Sequence, residues 1–201
     1  MGCLATLTPE QFADGCGEVV KHAVIADPEL FTELEKTPLT LELLNRDVAR
    51  VALIIARNID IKRAVVVADE RETNQRKLLN FGHSAGHAVE ACEHFELGHG
   101  NCVSIGMGII TRAAALHAIC DAALPARIEE LCARHGLKTR CSLSADAIFA
   151  EALHDKKRAG DTIDLVIPHD IGRCSIDRTP LSTFHDLIAE GLGQKGDASA
   201  C

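Results

Sequence analysis

The stretch from Arg76 to Glu90, with the sequence RKLLNFGHSAGHAVE, is the most informative part of the chain. His83, His87 and Glu90 are spaced i, i+4 and i+7, so a helix places all three on one face. Such a face is typical of metal and acid–base sites. Spacing alone favours chelation of a metal ion by His83 and His87. The alternative is that individual histidines here only hydrogen-bond to the backbone.

More histidines and glycines follow this stretch. His94 and the triplet Gly98-His99-Gly100 complete a group of four histidines within seventeen residues. Glycine costs a helix interior about 1 kcal/mol relative to alanine. Its repeated use beside histidines, at Gly82 and Gly86 as well, therefore predicts close approach of the backbone to a ligand or to a neighbouring helix.

Helix-start signals recur along the chain and predict a mainly α fold. Each consists of a capping oxygen before a proline at the first helical position, in Thr8-Pro9, Asp27-Pro28 and Thr179-Pro180. Gln11 completes a capping box with Thr8, and this first helix is expected to continue to about Ile25. Glu18 and Lys21 are three residues apart and point in neighbouring directions on that helix.

The remaining pattern is helical apart from one hairpin. Residues 39–72 are densely apolar and are interpreted as helix, although 61–67 is rich in β-branched residues. Further helices are predicted over 84–94, 101–120, 125–135 and 144–154. One strand, 162–167, is expected to pair with 174–177. We therefore expect a multi-helix domain with at most one short β-hairpin.

Composition limits the classes of partner and compartment. The net charge of −8 disfavours binding to nucleic acids and anionic membranes, because both bind preferentially to positively charged surfaces. Nine cysteines without a CxxC pair indicate scattered reduced thiols. We find neither a signal peptide nor an apolar run of membrane-spanning length, and expect a cytoplasmic protein. No linker divides the chain, so we expect one domain over 1–192 and a disordered tail over 193–201.

Five blocks of the sequence together resemble the C-terminal half of 3-dehydroquinate synthases. That family carries G-x-A-E-x-x-K, a long block from K-A-x-V-V to L-N-F-G-H-T-x-G-H-A-x-E, then H-G-E and D-K-K. The chain has, in the same order, Gly15 to Lys21, Lys62 to Glu72, Arg76 to Glu90, His99-Gly100-Asn101 and Asp155-Lys156-Lys157. It departs from the family pattern at Gly17 for alanine, Ser84 for threonine and Asn101 for glutamate.

The resemblance implies a role for each matching residue. A catalytic zinc or cobalt ion would be held by Glu18, His83 and His99, in place of the His83–His87 chelate. His87 and Glu72 would be proton acceptors near the metal. The residues implied to bind the carboxylate and phosphate of the substrate are Lys21, Lys62, Arg76 and Asn80, with one of Lys156 and Lys157. The residues implied to touch NAD are Cys3, Leu4, Ala5 and Thr6.

The family reaction sets the expectation for function. It converts 3-deoxy-arabino-heptulosonate 7-phosphate into 3-dehydroquinate and phosphate in the shikimate pathway, with NAD reduced and regenerated in each turnover. The resemblance implies the helical C-terminal domain of such a fold, a homodimer in the full-length enzyme, and an absent N-terminal domain that carries most of the NAD site. The chain alone is then expected to bind substrate weakly without turnover.

Three alternatives remain open at this point. Related sugar-phosphate cyclases that make cyclitols share the scaffold, and metal-dependent polyol dehydrogenases are more distant relatives. The third is a degenerate helical interaction module without chemistry. A substrate assay separates the first alternative from a dehydroquinate synthase, and metal analysis tests the third.

Overall fold

The beginning of the chain follows the predicted capping signals closely. A computed structural model of the chain describes residues 2–70, 75–156 and 160–194, except for the side chains of residues 155 and 156. Thr8 and Gln11 form the capping box that starts helix α1, Pro9–Ala26. The Asp27 carboxylate accepts a hydrogen bond from Leu30 N–H and starts α2, Pro28–Lys36. Both cap predictions are confirmed.

The described part of the chain is mainly α-helical, as predicted. The helices that follow α2 are α3 (Leu41–Arg46), α4 (Val48–Ala68), α5 (His83–Cys92), α6 (His99–Leu116), α7 (Leu124–Arg134), α8 (Ala145–Lys156) and α9 (Leu181–Leu192). Short 3₁₀ turns span Gly2–Thr6 and Gln75–Asn80. The β-branched residues 61–67 lie inside α4, which confirms the helical interpretation of that segment. Gly136 follows α7 with a φ of 77°, the left-handed conformation in which glycine commonly ends a helix.

One antiparallel hairpin interrupts the helices. Its strands, β1 (Thr162–Asp170) and β2 (Arg173–Pro180), are longer than predicted. Gly172 in the turn has a φ of 79°, and its N–H donates to the carbonyl oxygen of Val24 near the end of α1. The tip of the hairpin is therefore fixed against the helix that carries Glu18.

The prediction that Thr179 caps the last helix is wrong. Thr179 belongs to β2, opposite Ile163, and its hydroxyl bonds the carbonyl of Asp177. Pro180 is itself the N-cap position, and α9 begins one residue later without a side-chain cap. The reason is that the β ladder continues to Pro180, so the backbone stays extended where the sequence alone suggests a helix start.

Helix α6 lies at the centre of the fold. It packs against α1, α5, α7 and α9, and most of its residues are buried. Gly106 allows α5 to lie directly on it, since a side chain there would overlap the backbone of Gly82. Gly100 does the same for α1, where a side chain would overlap the backbone of Asp14. The predicted role of these glycines in close helix approach is therefore confirmed for Gly100 and Gly82.

The ends of the domain have partners in the fold. Leu4 and Leu7 are half-buried against the core. Gln194, in the segment predicted to be a tail, hydrogen-bonds through its side-chain amide to Leu143 and Ala145 at the start of α8. Residues 195–201 lie outside the described residues. Within the described ranges, eight cysteines are free thiols, and none of the helices is long and apolar enough to cross a membrane.

Candidate metal and substrate site

Three histidines from α5 and α6 form one cluster. His83 is the first residue of α5, His87 lies one turn later, and His99 is the first residue of α6. One ring nitrogen of each lies within 4.8 Å of those of the other two. The ring centroids of His83 are 5.1 Å from His87 and 5.3 Å from His99. The packing of α5 on α6 thus assembles a group of nitrogen donors that could hold a metal ion.

Glu18 reaches this cluster from α1. Its Oε1 atom lies 3.6 Å from Nε2 of His83. The Nδ1–H of His83 is directed to the carbonyl oxygen of Phe81, at 3.1 Å, which leaves Nε2 for the Glu18 side. Imidazole nitrogen and carboxylate oxygen are the donors that catalytic zinc sites use, and imidazole also suits cobalt. The residues present therefore fit such an ion, through either His83 and His99 with Glu18, or the three histidines.

The charge of Glu18 is balanced by a buried lysine. Lys21 is only 2% exposed, and its Nζ lies 3.0 and 2.9 Å from the two carboxylate oxygens. Burial alone would raise the pKa of Glu18, but the charge and hydrogen bonds of Lys21 outweigh it and lower that pKa. Burial lowers the pKa of Lys21, and Glu18 opposes this effect. The Glu18 carboxylate therefore stays ionised beside the histidines.

His83 is held in its neutral form. Burial, followed by the positive charge of Lys21, lowers the pKa of His83 to about 4. Metal binding requires a neutral imidazole, because the proton and the metal compete for the same lone pair. His83 is therefore ready to act as a ligand at neutral pH without first losing a proton.

A small cavity beside Glu18 collects the cations that the resemblance implies for substrate binding. It has a volume of about 230 Å³, and its lining includes Lys21, Lys62, Arg76, Asn80 and His83. Such a wall suits carboxylate and phosphate groups. The structure therefore brings four of the six predicted substrate-binding residues together at the edge of the histidine cluster.

The positively charged residues of this cavity come from different elements, and backbone groups hold Arg76 in place. Arg76 N–H donates to Asp69, and its guanidinium donates to the carbonyl of Glu70, at 3.1 and 3.0 Å. Lys62 lies on α4, whereas Lys21 lies on α1. Separate helices thus supply the positive charges, and their spacing depends on the packing of α1 against α4.

A larger cavity of about 910 Å³ opens on the other side of His83. His83 and Asn80 line both cavities. His87 is exposed and lines only the larger one among these two. The two cavities thus share His83 and Asn80, so a molecule that fills both would contact these two residues.

Several residues of this region were not predicted from the sequence. Lys77 lines the larger cavity and pairs with Asp164 of β1 at 2.6 Å. His22 lines the smaller cavity, and its Nδ1 lies 3.0 Å from the side-chain oxygen of Asn58. Burial and then Lys21 lower the pKa of His22. No sequence signal identifies these residues, because each pair joins separate elements.

Some predicted site residues fall outside what can be described. Glu72 and Lys157 lie outside the described residues, and the side chain of Lys156 is not described. The predicted NAD-contacting residues, Cys3, Leu4, Ala5 and Thr6, form the 3₁₀ turn at the start of the chain, which contacts α3. The roles of all these residues stay predictions.

Comparison with known proteins identifies the family. The family model described as 3-dehydroquinate synthase C-terminal matches residues 15–158. The chain belongs to this family. The 3-dehydroquinate synthase of Streptococcus suis (strain 05ZYH33) is 37% identical over 187 residues, which cover 92% of this chain and 52% of the relative. That of Acetivibrio thermocellus is 36% identical over 199 residues, 96% of this chain and 53% of the relative. The chain thus spans about half the length of these relatives.

Solved structures of other proteins share the fold of this chain. The valiolone-type cyclase ValA (2-epi-5-epi-valiolone synthase) from Streptomyces hygroscopicus subsp. jinggangensis 5008, solved with NAD+ and Zn2+, has a TM-score of 0.82 at 23% identity and aligns with 95% of this chain and 52% of its own. A 2-deoxy-scyllo-inosose synthase, complexed with carbaglucose-6-phosphate, NAD+ and Co2+, has a TM-score of 0.74 at 20% identity over 94% of this chain and 53% of its own. At these identities the likeness shows a common fold.

Proposed function

We propose that the chain is the metal- and substrate-binding part of a 3-dehydroquinate synthase. Such an enzyme converts 3-deoxy-arabino-heptulosonate 7-phosphate into 3-dehydroquinate and phosphate. The observation that carries the proposal is that Glu18 and His83, which lie on separate helices, are 3.6 Å apart and both line the basic cavity. A metal-ligand set beside a binding wall for anions is what an enzyme acting on a phosphorylated sugar acid requires.

The proposed ligands of zinc or cobalt are Glu18, His83 and His99. When bound, the ion would lower the pKa of the substrate hydroxyl to be oxidised and polarise the resulting carbonyl. Three protein ligands leave coordination positions for substrate oxygens, as catalytic rather than structural sites do. The 3.6 Å separation of Glu18 and His83 and the neutral state of His83 support this assignment. His87 is the competing third nitrogen, since it lies in the same cluster.

His87 is proposed to accept protons. It is exposed toward the larger cavity, so its ring can exchange protons with a bound substrate or with water. Glu72 shares this role in the proposal. A general base needs a side chain that is free of metal and within hydrogen-bond reach of the proton it removes.

The basic wall is proposed to recognise the two anionic groups of the substrate. Arg76 suits a bidentate contact with a carboxylate or phosphate, whereas Lys21 and Lys62 act as point charges. Asn80 lines both cavities and can bind hydroxyl groups between those ends. One of Lys156 and Lys157 is proposed to complete the wall.

NAD is proposed as the second cofactor. Both solved relatives described above contain NAD+, together with Zn2+ in one and Co2+ in the other. The strip from Cys3 to Thr6 is proposed to touch this cofactor. Most of the NAD site would belong to the half of the relatives that this chain does not match, so the chain alone is expected to bind substrate without releasing phosphate.

A cyclitol-forming cyclase is the second candidate, because the two solved relatives are enzymes of that kind. The sequence relationship favours the first candidate. Identity is 37% and 36% to the two dehydroquinate synthases but 23% and 20% to the two cyclases.

The ligand set is tested by metal titration. Calorimetry with Zn2+ or Co2+ is expected to give one site in the wild type, no binding in His83→Ala and largely intact binding in His87→Ala. If His87→Ala removed the metal as completely as His83→Ala, the assignment of Glu18, His83 and His99 as the ligands would be wrong, and chelation by His83 and His87 would be favoured instead.

Substrate class is tested on the metal-loaded chain. Heptulosonate phosphate is expected to bind more tightly than glucose 6-phosphate, because only the former offers a carboxylate as well as a phosphate. Arg76→Met should reduce this preference. Equal binding of the two sugars would favour a cyclitol-type substrate and contradict the proposal.

A further inference from the structure

The backbone of His99 is held firmly, and its ring lies against the rings of His83 and His87, with centroids 5.3 and 5.7 Å away. Gly98 and Gly100, on either side of it, both lie directly against Asp14, where a side chain would overlap that residue. The Asp14 carboxylate also accepts a hydrogen bond from Asn101 N–H at 3.0 Å. The side chain of His99, however, is 42% exposed. These ring contacts do not select which nitrogen of His99 carries the proton, so a polar contact is needed to do so.

Glu90 makes such a contact. It lies on α5, on the same face as His83 and His87, and its Oε2 atom is 3.3 Å from Nδ1 of His99. A carboxylate can only accept a hydrogen bond, so Nδ1 carries the proton and donates it. The side chain of Glu90 is 20% exposed and thus better shielded from water than the ring it contacts.

We infer that Glu90 is a positioning residue that fixes the ring and tautomer of His99 and leaves Nε2 to bind the metal. This inference rests on the proposed function, in which His99 is a ligand. Carboxylates that accept the second ring N–H of a ligating histidine raise its basicity and restrict its rotation. Removing such a partner typically weakens metal binding by about 10- to 100-fold.

The inference is tested by the Zn2+ affinity of matched variants of the full chain, measured by competition with a chromophoric chelator. Glu90→Ala is expected to weaken binding by about 10- to 100-fold. Glu90→Gln keeps an oxygen that accepts the Nδ1 proton and should recover much of that loss. Glu96→Ala is the control, because Glu96 is exposed shortly after the same helix and should bind as the wild type does. His99→Ala gives the loss expected when the ligand itself is removed.

These variants separate failure of the inference from failure of the ligand set. If His99→Ala binds Zn2+ like the wild type, His99 is not a ligand and the proposed ligand set fails. If His99→Ala loses Zn2+ but Glu90→Ala does not, the ligand set stands and the positioning role is overturned. If Glu90→Gln loses as much as Glu90→Ala, the charge or a direct bond to metal matters instead, which also overturns it.

A second measurement does not depend on the stability of the variants. Nitrogen-15 NMR of the metal-free wild type above neutral pH should show His99 as the Nδ1–H tautomer, whereas free histidine prefers the other. An Nε2–H tautomer at His99 would overturn the inference. In Glu90→Ala, if it folds, the His99 signals should shift toward a mixture of tautomers.

Discussion

Replacement of Gly100 by alanine tests whether the contact between α1 and α6 aligns the site. Gly100 follows His99, and it touches α1 at Asp14, four residues before Glu18. A Cβ atom at position 100 would overlap the carbonyl oxygen of Asp14 and lie 2.8 Å from its carbonyl carbon. The obstacle is backbone, so no side-chain rotation relieves it.

The expected cost follows from this geometry. The two helices must separate by roughly 1.5 Å before the new methyl group reaches an ordinary contact distance, and overpacking of this kind costs about 1–3 kcal/mol. The same movement stretches the hydrogen bonds from Asn101 to Asp14, which are 3.0 and 3.3 Å long. Each contributes about 1 kcal/mol. With both bonds lost, we therefore expect the free energy of unfolding to fall by roughly 3–5 kcal/mol.

Urea unfolding of the metal-free chain measures this loss, and Zn2+ titration measures its effect on the site. The displacement separates Glu18 from His99, so Zn2+ affinity should also fall. Gly15→Ala is the matched control on α1: nothing lies within 4 Å of its Cβ position, and it should be stabilising by about 0.5–1 kcal/mol. If Gly100→Ala unfolded like the wild type and bound Zn2+ equally well, close contact of the two helices would not be what aligns the ligands.

The remaining predictions concern charge, pH and the hairpin turn. Because the pKa of His83 is lowered to about 4, the unfolded chain takes up a proton near pH 6.5, whereas the folded chain does so only near pH 4. As the pH falls from 6.5 to 4, the free energy of unfolding of the metal-free chain should therefore decrease by up to roughly 3 kcal/mol, and by less in His83→Gln. Lys21→Met should cost about 1–3 kcal/mol in urea unfolding because Glu18 loses its partner, and adding Glu18→Gln should recover part of it. Gly172→Ala should cost about 1–3 kcal/mol, since its φ is 79° and its Cβ would meet the first proline of α2 at 2.5 Å. Gly160→Ala, with a φ of 83° but open space around its Cβ position, should lose only about 1 kcal/mol through backbone strain, with both variants measured by urea unfolding.

The parts of the fold that were predictable depend on local signals. The capping box of Thr8 and Gln11 spans three residues, and the Asp27 cap reaches Leu30, so both could be recognised without knowledge of the fold. The helical state of 61–67 was also predictable, because the surrounding apolar pattern outweighs β-branching. Thr179 misled the prediction because its structure is decided by its partner Ile163 on another strand.

The candidate site was predictable only in part. Spacing within α5 identified His83 and His87, and they do lie side by side. The addition of Glu18 and His99 came from family resemblance, since the two residues lie on different helices and no periodicity relates them. The contacts of Glu90 with His99, and of Lys77 with Asp164, depend on how helices and hairpin pack, and the sequence contains no local signal for them.

The attachment of the hairpin turn to α1 has a consequence for the order of folding during synthesis. The bond from Gly172 to Val24 joins two segments that are far apart in sequence, so the hairpin turn leaves the ribosome well after α1 does. The last turn of α1 can therefore make this contact only after the hairpin has been synthesised. Contacts this distant in sequence slow folding and leave apolar surface exposed in the meantime. We expect α1 to be incompletely packed in nascent chains that end before residue 172. Chaperones that bind apolar segments should recognise α1 in these chains.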